Sequence, residues 1–212
     1  MHFGTGTPRE RGFTLVELMV VVAIAAILAV VAVPSLIASI QANQLDTVSN
    51  QLLAALATAR SEAVRTPSTS DVAQVVQVFN LPGAGVDWKG GWATTRQTTP
   101  LAGSTAIAAA TTTSLQAPAA VPGQVTVRSN FVGPVSFDSM GRLVVGGANP
   151  PPTLVWVICT DGTTVAGKSR AVIVSPSGRA SIAHMQTSGV DAGKPILDTG
   201  AAVASCTPPR VL

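Results

Sequence analysis

Residues 12–33 read GFTLVELMVVVAIAAILAVVAV in one-letter code, an apolar run with one acidic residue, Glu17, near its start. As an α-helix, residues 13–33 would span about 31 Å, close to the thickness of a bilayer's hydrocarbon core. The Leu, Ile and Val residues of 18–33 contribute about −3 to −6 kcal/mol to insertion, whereas a charge at the centre of a span costs about 2.5–3.5 kcal/mol. Because Glu17 lies near one end, the sequence predicts a transmembrane helix over 13–33.

The charges that flank this run set its orientation. Arg9 and Arg11 precede it, and no further basic residue occurs before Arg60. By the positive-inside rule, the N-terminus is expected in the cytoplasm and the rest of the chain outside it. The alternative is a secretory signal that is cut after the apolar run, since residues 32–35 weakly match such a cleavage site.

The same stretch carries a recognisable signal. A short basic leader, the order Gly12-Phe13-Thr14-Leu15-Val16-Glu17 and a long apolar helix together resemble the signal of type IV pilins and type II secretion pseudopilins. The resemblance implies that a prepilin peptidase removes the leader, residues 1–12, by cutting between Gly12 and Phe13 on the cytoplasmic face. It also implies methylation of the new Phe13 amine, while the mature chain keeps its membrane helix.

Glu17 lies where lipid would surround it. A carboxylate and a terminal amine are each costly in lipid, and the cost falls if Glu17 of one subunit meets the Phe13 amine of a neighbour. We therefore interpret Glu17 as a residue of subunit assembly. The alternative is a glutamate at the bilayer interface whose side chain reaches the headgroups.

Beyond Pro34 the helical pattern continues, now with one apolar face. Its apolar residues recur at steps of three or four, at Leu45, Val48, Leu52, Leu56, Ala59 and Ala63. Pro67 disfavours helix at Thr66, so the predicted helix covers 13–65.

Short runs rich in Val, Thr, Trp and Phe follow this helix, separated by Gly, Pro, Asp and Ser. They predict strands at 72–79, 91–95, 124–129, 135–137, 143–145, 154–159 and 170–174. Residues 98–123 are almost wholly Thr, Ala, Pro, Ser and Gly, a composition that predicts a flexible surface loop. The expected fold is α+β, in which a long N-terminal helix packs its second half on an antiparallel β domain covering 66–212.

Four segments of the second part extend the resemblance. They read Ala59-Arg60-Ser61-Glu62-Ala63-Val64, Trp88-Lys89-Gly90-Gly91-Trp92, Phe137-Asp138-Ser139-Met140-Gly141-Arg142 and Ser177-Gly178-Arg179. With the N-terminal signal, they are similar to the GspH/FimT branch of pilin-like proteins, which implies a pilin-like fold. From the residues themselves, Trp88 and Trp92 are core aromatics, and the two Gly-Arg pairs are turns followed by solvated charges.

Cys159 and Cys206 are the only cysteines of the sequence. The predicted topology places both outside the cytoplasm, where thiols can oxidise, and we expect them to form a disulfide, with two free thiols as the alternative. Two cysteines and His184, the one histidine beyond the leader, make a poor metal site, so we expect neither metal nor cofactor.

Composition and motifs limit the function. The 212 residues are 47% hydrophobic and 11% charged, with a net charge of +3. The sequence has no basic block, paired carboxylates, phosphate-binding loop or nucleophile motif, which argues against a dedicated nucleic-acid binder and against an enzyme. We expect a structural subunit.

The resemblance implies more about that subunit. It would be a minor pilin or pseudopilin that crosses the inner membrane once, with a periplasmic β domain, and assembles into a type II secretion pseudopilus or a type IV pilus, or at the filament tip. Its partners would be other pilins or pseudopilins, the prepilin peptidase, the inner-membrane assembly platform and the lipid bilayer.

DNA binding is the alternative function. Some FimT-like subunits resemble DNA receptors for natural transformation, which use a Gly-Arg-x-Arg turn near the C-terminus. The matching turn here is Gly178-Arg179-Ala180-Ser181, which lacks the second arginine. The candidate phosphate contacts are Lys168, Arg170, Arg179 and Arg210.

Overall fold

The computed structural model describes residues 12–66, 72–81, 86–100, 111–119, 121–144, 153–160, 168–197 and 199–208. The chain divides into two compact units, Met1–Ile40 and Gln41–Leu212. Helix α1 (Leu15–Arg65) belongs to both and contains Pro34. Of the predicted leader, only Gly12 is among the described residues.

The helix ends two residues before Pro67, where the sequence predicts its end. Its last residue is Arg65, and Thr66 closes the final turn. The backbone N–H of Thr66 donates to the Glu62 carbonyl at 3.0 Å, and the Thr66 hydroxyl donates to the same oxygen at 2.7 Å. The carbonyl groups in the last turn of a helix have no N–H donor within the helix. These two bonds supply donors to one of them.

Eleven short strands are found in the described residues. They are β1 (Val72–Asn80), β2 (Trp92–Pro100), β3 (Thr111–Ala119), β4 (Thr126–Ser129), β5 (Val135–Phe137), β6 (Leu143–Val144), β7 (Leu154–Cys159), β8 (Ser169–Val174), β9 (Ala180–Ile182), β10 (His184–Met185) and β11 (Pro195–Ile196). They pair antiparallel in a five-stranded sheet, β3-β2-β1-β5-β6, a four-stranded sheet, β4-β7-β8-β9, and the pair β10-β11. The α+β class predicted from the sequence is confirmed.

The main core lies between the second half of α1 and the inner faces of the two larger sheets. The helix residues buried in it include the whole predicted stripe, namely Leu45, Val48, Leu52, Leu56, Ala59 and Ala63. The step of three to four residues keeps these side chains on one face of α1, and that face therefore packs on the sheets.

Aromatic rings fill the centre of this core. Trp88, Phe131 and Trp156 meet edge to face, with ring centroids 5.2–6.1 Å apart. Trp88 donates from its indole nitrogen to the Ser129 hydroxyl at 3.2 Å. Trp92 is buried as well. Both tryptophans that the sequence placed in the core therefore lie there.

The sheet β4-β7-β8-β9 is covered on its outer face too. Every residue of β7 is buried, and alternate residues point to opposite faces. On the outer face, Val155, Val157 and Ile173 pack with Val203 in a second apolar cluster. Val203 belongs to the C-terminal segment, which comprises residues 197 and 199–208 of the described chain. The strands predicted from the sequence end with β8, so they do not include this outer layer.

The prediction of a loop over 98–123 needs correction. Strand β2 continues to Pro100, and β3 occupies Thr111–Ala119. Threonine is β-branched and favours strands, and pairing with β2 supplies backbone bonds that composition does not reveal. As an edge strand with register shifts, β3 can also accommodate Pro118. Residues 101–110 and 120 lie outside the described residues.

Cys159 and Cys206 form a disulfide, which confirms the expected pairing. The bond joins the end of β7 to the C-terminal segment across a sequence separation of 47 residues. Both cysteines are buried in the second cluster. In the loop-entropy model, closing a loop of this length stabilises the folded state by about 4 kcal/mol.

We therefore predict that Cys159→Ser/Cys206→Ser lowers the free energy of unfolding by about 4 kcal/mol. Urea denaturation of the detergent-solubilised chain, followed by tryptophan fluorescence, measures the change. A Cys159→Ala/Cys206→Ala double variant controls for the buried hydroxyls. A loss below about 1 kcal/mol in the alanine pair would contradict this account of the disulfide.

Candidate functional site

The first turn of α1 contains the predicted processing and assembly residues. Thr14 precedes the helix, and its hydroxyl accepts a hydrogen bond from the backbone N–H of Glu17 at 3.2 Å. Thr14 is therefore the N-cap, and Glu17 occupies the third helical position, the spacing of a capping box. In the sequence, Thr14 is identified only as part of the N-terminal signal, although the Thr-x-x-Glu pattern also marks this cap.

Glu17 is exposed and lies in the first turn, where a negative charge interacts favourably with the helix dipole. Within the described part of the chain, no basic side chain forms an ion pair with its carboxylate. Phe13, whose amine is the predicted partner in a neighbouring subunit, is also exposed. The geometry thus leaves both residues accessible to another molecule.

The apolar part of α1, up to Ile40, is not buried by other described residues of the first unit. All residues from Gly12 to Ile40 are exposed, including Val31 at 76%. The helix is long and apolar enough to cross a membrane, with a mean hydropathy of 3.0 in its most apolar window. Side chains of this kind require lipid or other apolar helices around them.

In the second unit, three of the sequence segments singled out above meet at one point, the Arg60 junction. It comprises Arg60 on α1 and the turns 138–142 and 175–179. Arg60 donates from Nε to the Gly141 carbonyl at 2.9 Å and from Nη2 to the Ser177 carbonyl at 3.3 Å. One planar guanidinium therefore contacts a turn from each of the two larger sheets.

The two turns also contact each other. Leu143 N–H donates to the Pro176 carbonyl at 3.1 Å. Gly141 and Gly178 are buried, with φ of 73° and 78°, and a Cβ added to Gly178 would overlap the Gly141 carbonyl oxygen. Glycine is thus required at 178 both for its backbone conformation and for this close approach. The turns that contain the two Gly-Arg pairs therefore connect the sheets. The sequence predicted ordinary turns and not this contact between them.

Charged side chains reinforce the junction. Asp138 accepts hydrogen bonds from the N–H groups of Met140 and Arg142 and from Arg142 Nε. Desolvation raises the pKa of Asp138, but these bonds and the Arg142 charge outweigh it and hold that pKa below its ordinary value. Two residues beyond Arg60, Glu62 pairs with Arg96 on β2 at 2.7 Å. The Arg60-Ser61-Glu62 segment thereby links α1 to both sheets.

Two of the four candidate DNA contacts, Arg170 and Arg179, lie apart in the described structure. Arg170 donates to Asp46 on α1 at 2.7 Å, which offsets its charge. Arg179 lies opposite Ser175, about 16 Å along β8 from Arg170. Lys168 is exposed before β8, and Arg210 lies outside the described residues.

Two models of known protein families match parts of this chain. Residues 7–33 match the model of the prokaryotic N-terminal methylation motif, and residues 48–178 match that of the type II transport protein GspH. No curated protein matches the chain. The crystal structure of the type IV minor pilin FimU of Pseudomonas aeruginosa is similar over 77% of this chain and 96% of that chain, with 22% identity and a TM-score of 0.48.

The junction generates a prediction with a matched control. Gly178→Ala should lower the free energy of unfolding by more than about 3 kcal/mol, because the methyl group overlaps the Gly141 carbonyl and the backbone conformation is left-handed. Gly189 has a similar φ of 83° but nothing within 4 Å of an added Cβ. Gly189→Ala should therefore cost only about 1–2 kcal/mol. Equal losses in urea denaturation would refute the close packing of the two turns.

Proposed function

The chain belongs to the GspH family of type II transport proteins, and on this premise we propose that it is a minor pilin or pseudopilin. It assembles through its N-terminal helix into a type II secretion pseudopilus or a type IV pilus, in the shaft or at the tip. In this role the chain associates with other subunits and catalyses no reaction. The filament serves protein secretion or pilus biogenesis.

One observation carries the assembly part of the proposal. Glu17 stands at the start of an exposed apolar helix, and its carboxylate has no ion-pair partner among the described residues. A charge of this kind is retained in an apolar environment when a partner neutralises it. The amine of Phe13 in a neighbouring subunit has the required charge and lies at the corresponding end of its own helix.

The apolar residues of the helix supply contact area in the filament, but they do little to favour the filament over the membrane. Moving the helix from lipid into a filament exchanges one apolar environment for another, so the hydrophobic effect changes little. Close packing and the pairing of the Phe13 amine with Glu17 favour the assembled state. As the family implies, an inner-membrane platform and an ATPase drive the transfer.

Processing precedes assembly in this proposal. The match to the methylation motif over 7–33 supports cleavage by a prepilin peptidase between Gly12 and Phe13 and methylation of the Phe13 amine. The helix then crosses the inner membrane once, over about 13–33, with its N-terminus in the cytoplasm. The β domain lies in the periplasm, where the Cys159–Cys206 disulfide can form.

The geometry favours assembly over DNA binding. A phosphate-binding face needs several uncompensated cations close together. Arg170 is paired with Asp46 and lies well away from Arg179 along β8. The candidate contacts Arg170 and Arg179 therefore do not form such a face together.

The processing step predicts a defined mature chain. Mass spectrometry of protein extracted from the membrane should find an N-terminus at Phe13 carrying one methyl group. Gly12→Arg should block cleavage, because a bulky cation replaces the small residue at the cut, and should leave the leader in place. A mature chain that begins at or after Ser35 would mean a cleaved secretory signal instead.

The assembly step predicts a charge requirement at residue 17. Glu17→Gln keeps the size of the side chain but removes its charge, and the amount of subunit in sheared filaments should fall about tenfold or more. Glu17→Asp, which keeps the charge, should retain part of the wild-type level. Mass spectrometry of both variants checks that cleavage and methylation are unchanged, so that the loss reports assembly. Wild-type incorporation of the glutamine variant would contradict the proposed pairing.

A further inference from the structure

The edges of the two larger sheets differ in how they are covered. At β4, Trp88 N–H donates to the Val127 carbonyl and Ser129 N–H to the Val86 carbonyl, both at 2.8 Å. At β6, Leu143 N–H donates to Pro176. Strand β3 has register shifts and Pro118, which oppose further pairing. Among the described residues, β9 (Ala180–Ile182) is the edge without such protection, although the same side of the chain pairs with β11 from His184 onward.

The backbone of β9 has hydrogen-bonding groups that point away from its sheet. Ser175 N–H donates to the Arg179 carbonyl, and Ala183 N–H donates to Ala171. Because bonding directions alternate along an antiparallel strand, residues 179, 181 and 183 face β8. The N–H and C=O groups of Ala180 and Ile182 therefore face outward, as an added strand would require.

A hollow lies on each side of this edge. The first, of about 600 Å³, is formed by Ala180 and by the exposed face of α1, including Leu53, Ala57 and Val64. The second, of about 700 Å³, lies toward the C-terminal segment, with Ser181 and Leu197 in its wall. Side chains of an added strand alternate between faces, so successive residues would enter the two hollows in turn.

The ionisable side chains that line the two hollows are basic, and one of them, Arg65, pairs with Glu62 at 3.6 Å. Arg60, Arg65 and Arg179 line the first hollow, and Arg179 and His184 line the second, whereas neither hollow is lined by an acidic side chain. Arg179 is exposed and forms no ion pair with a described residue. This environment favours a segment that carries carboxylates.

We propose that the β9 edge is a docking site for an extended, acidic segment of another protein, which adds as a strand beside Ala180–Ile182. Its apolar side chains enter the hollow beside α1, and its carboxylates lie near Arg179. The edge is short, so the backbone bonds are few and the two hollows supply much of the specificity. The site does not involve the apolar helix 13–40 and stands independently of filament assembly.

Two other occupants fit the geometry less well. A nucleic acid would meet the arginines but offers no strand backbone for the outward groups of Ala180 and Ile182, and no apolar side chains for the first hollow. A second copy that paired symmetrically through β9 would bring Arg179 against its own equivalent. Both possibilities are outcomes of the test below.

The test uses the full chain in detergent micelles and fluorescence anisotropy of strand-length probes. The binding probe is a peptide of alternating Val and Glu. The comparison probes are a Val/Lys peptide, the Val/Glu peptide with alternate backbone nitrogens methylated, and a single-stranded oligonucleotide. The Val/Glu peptide should bind, and backbone methylation should weaken it about tenfold or more, because it removes donors to the strand edge.

Two variants locate the binding. Arg179→Glu should weaken the Val/Glu peptide about tenfold, whereas Lys89→Glu, an equal charge change at an exposed residue outside both hollows, should leave it within about twofold. Ile182→Pro removes one outward N–H and should also abolish strand addition. Tryptophan fluorescence and thermal unfolding confirm that each variant is folded, and Arg179→Glu alone suffices if the proline variant is not.

Four outcomes would overturn the proposal. The Val/Glu peptide fails to bind the wild-type chain at about 1 mM; the methylated peptide binds as well as the unmodified one; the oligonucleotide binds and displaces the peptide, which would assign the arginines to a polyanion; or the chain self-associates in a way that Ile182→Pro abolishes, which would assign the edge to a second copy.

Discussion

In the second unit, the hydrogen bonds of one guanidinium join the helix to both of the larger sheets. Arg60 reaches from α1 to carbonyls in two turns, each of which belongs to a different sheet. The carbonyls become accessible because Gly141 and Gly178 have no side chains and adopt left-handed backbone conformations, so the turns can approach each other closely. Lysine could donate from a single nitrogen only and would not reproduce this planar arrangement.

The junction also explains the layout of the surrounding surface. The bond from Leu143 to Pro176 covers the β6 edge, and the turn 175–179 leads into β9 beside the exposed face of α1. The same turn places Arg179 next to Ala180, so the structural junction and the proposed docking site use neighbouring residues. On the other face of the sheet, the disulfide holds the C-terminal segment over the second apolar cluster.

The two units illustrate different uses of apolar sequence. In the second unit, apolar residues at helical spacing cover one face of α1 and stabilise a folded domain by burial. In the first, the apolar residues surround the helix and have no partners within the unit. Stability there must come from lipid or neighbouring helices, and in the proposed assembly the carboxylate of Glu17 supplies the polar interaction that selects a partner.

The sequence by itself determined the features that depend on local pattern: the helix and its end near Pro67, its buried stripe, most strands up to β8 and the core positions of Trp88 and Trp92. Periodicity, β-branching and proline act over a few residues, so a single sequence reveals them. It also pointed to Gly12, Phe13 and Glu17, because that signal is contiguous. Only the tertiary structure decided that Arg60, Gly141 and Gly178 form one junction, that β3 pairs with β2, that the C-terminal segment covers the outer face of a sheet, and that Arg170 pairs with Asp46. Each of these depends on contacts between residues far apart in the chain, whose geometry follows from strand order and register and leaves no local pattern to be read.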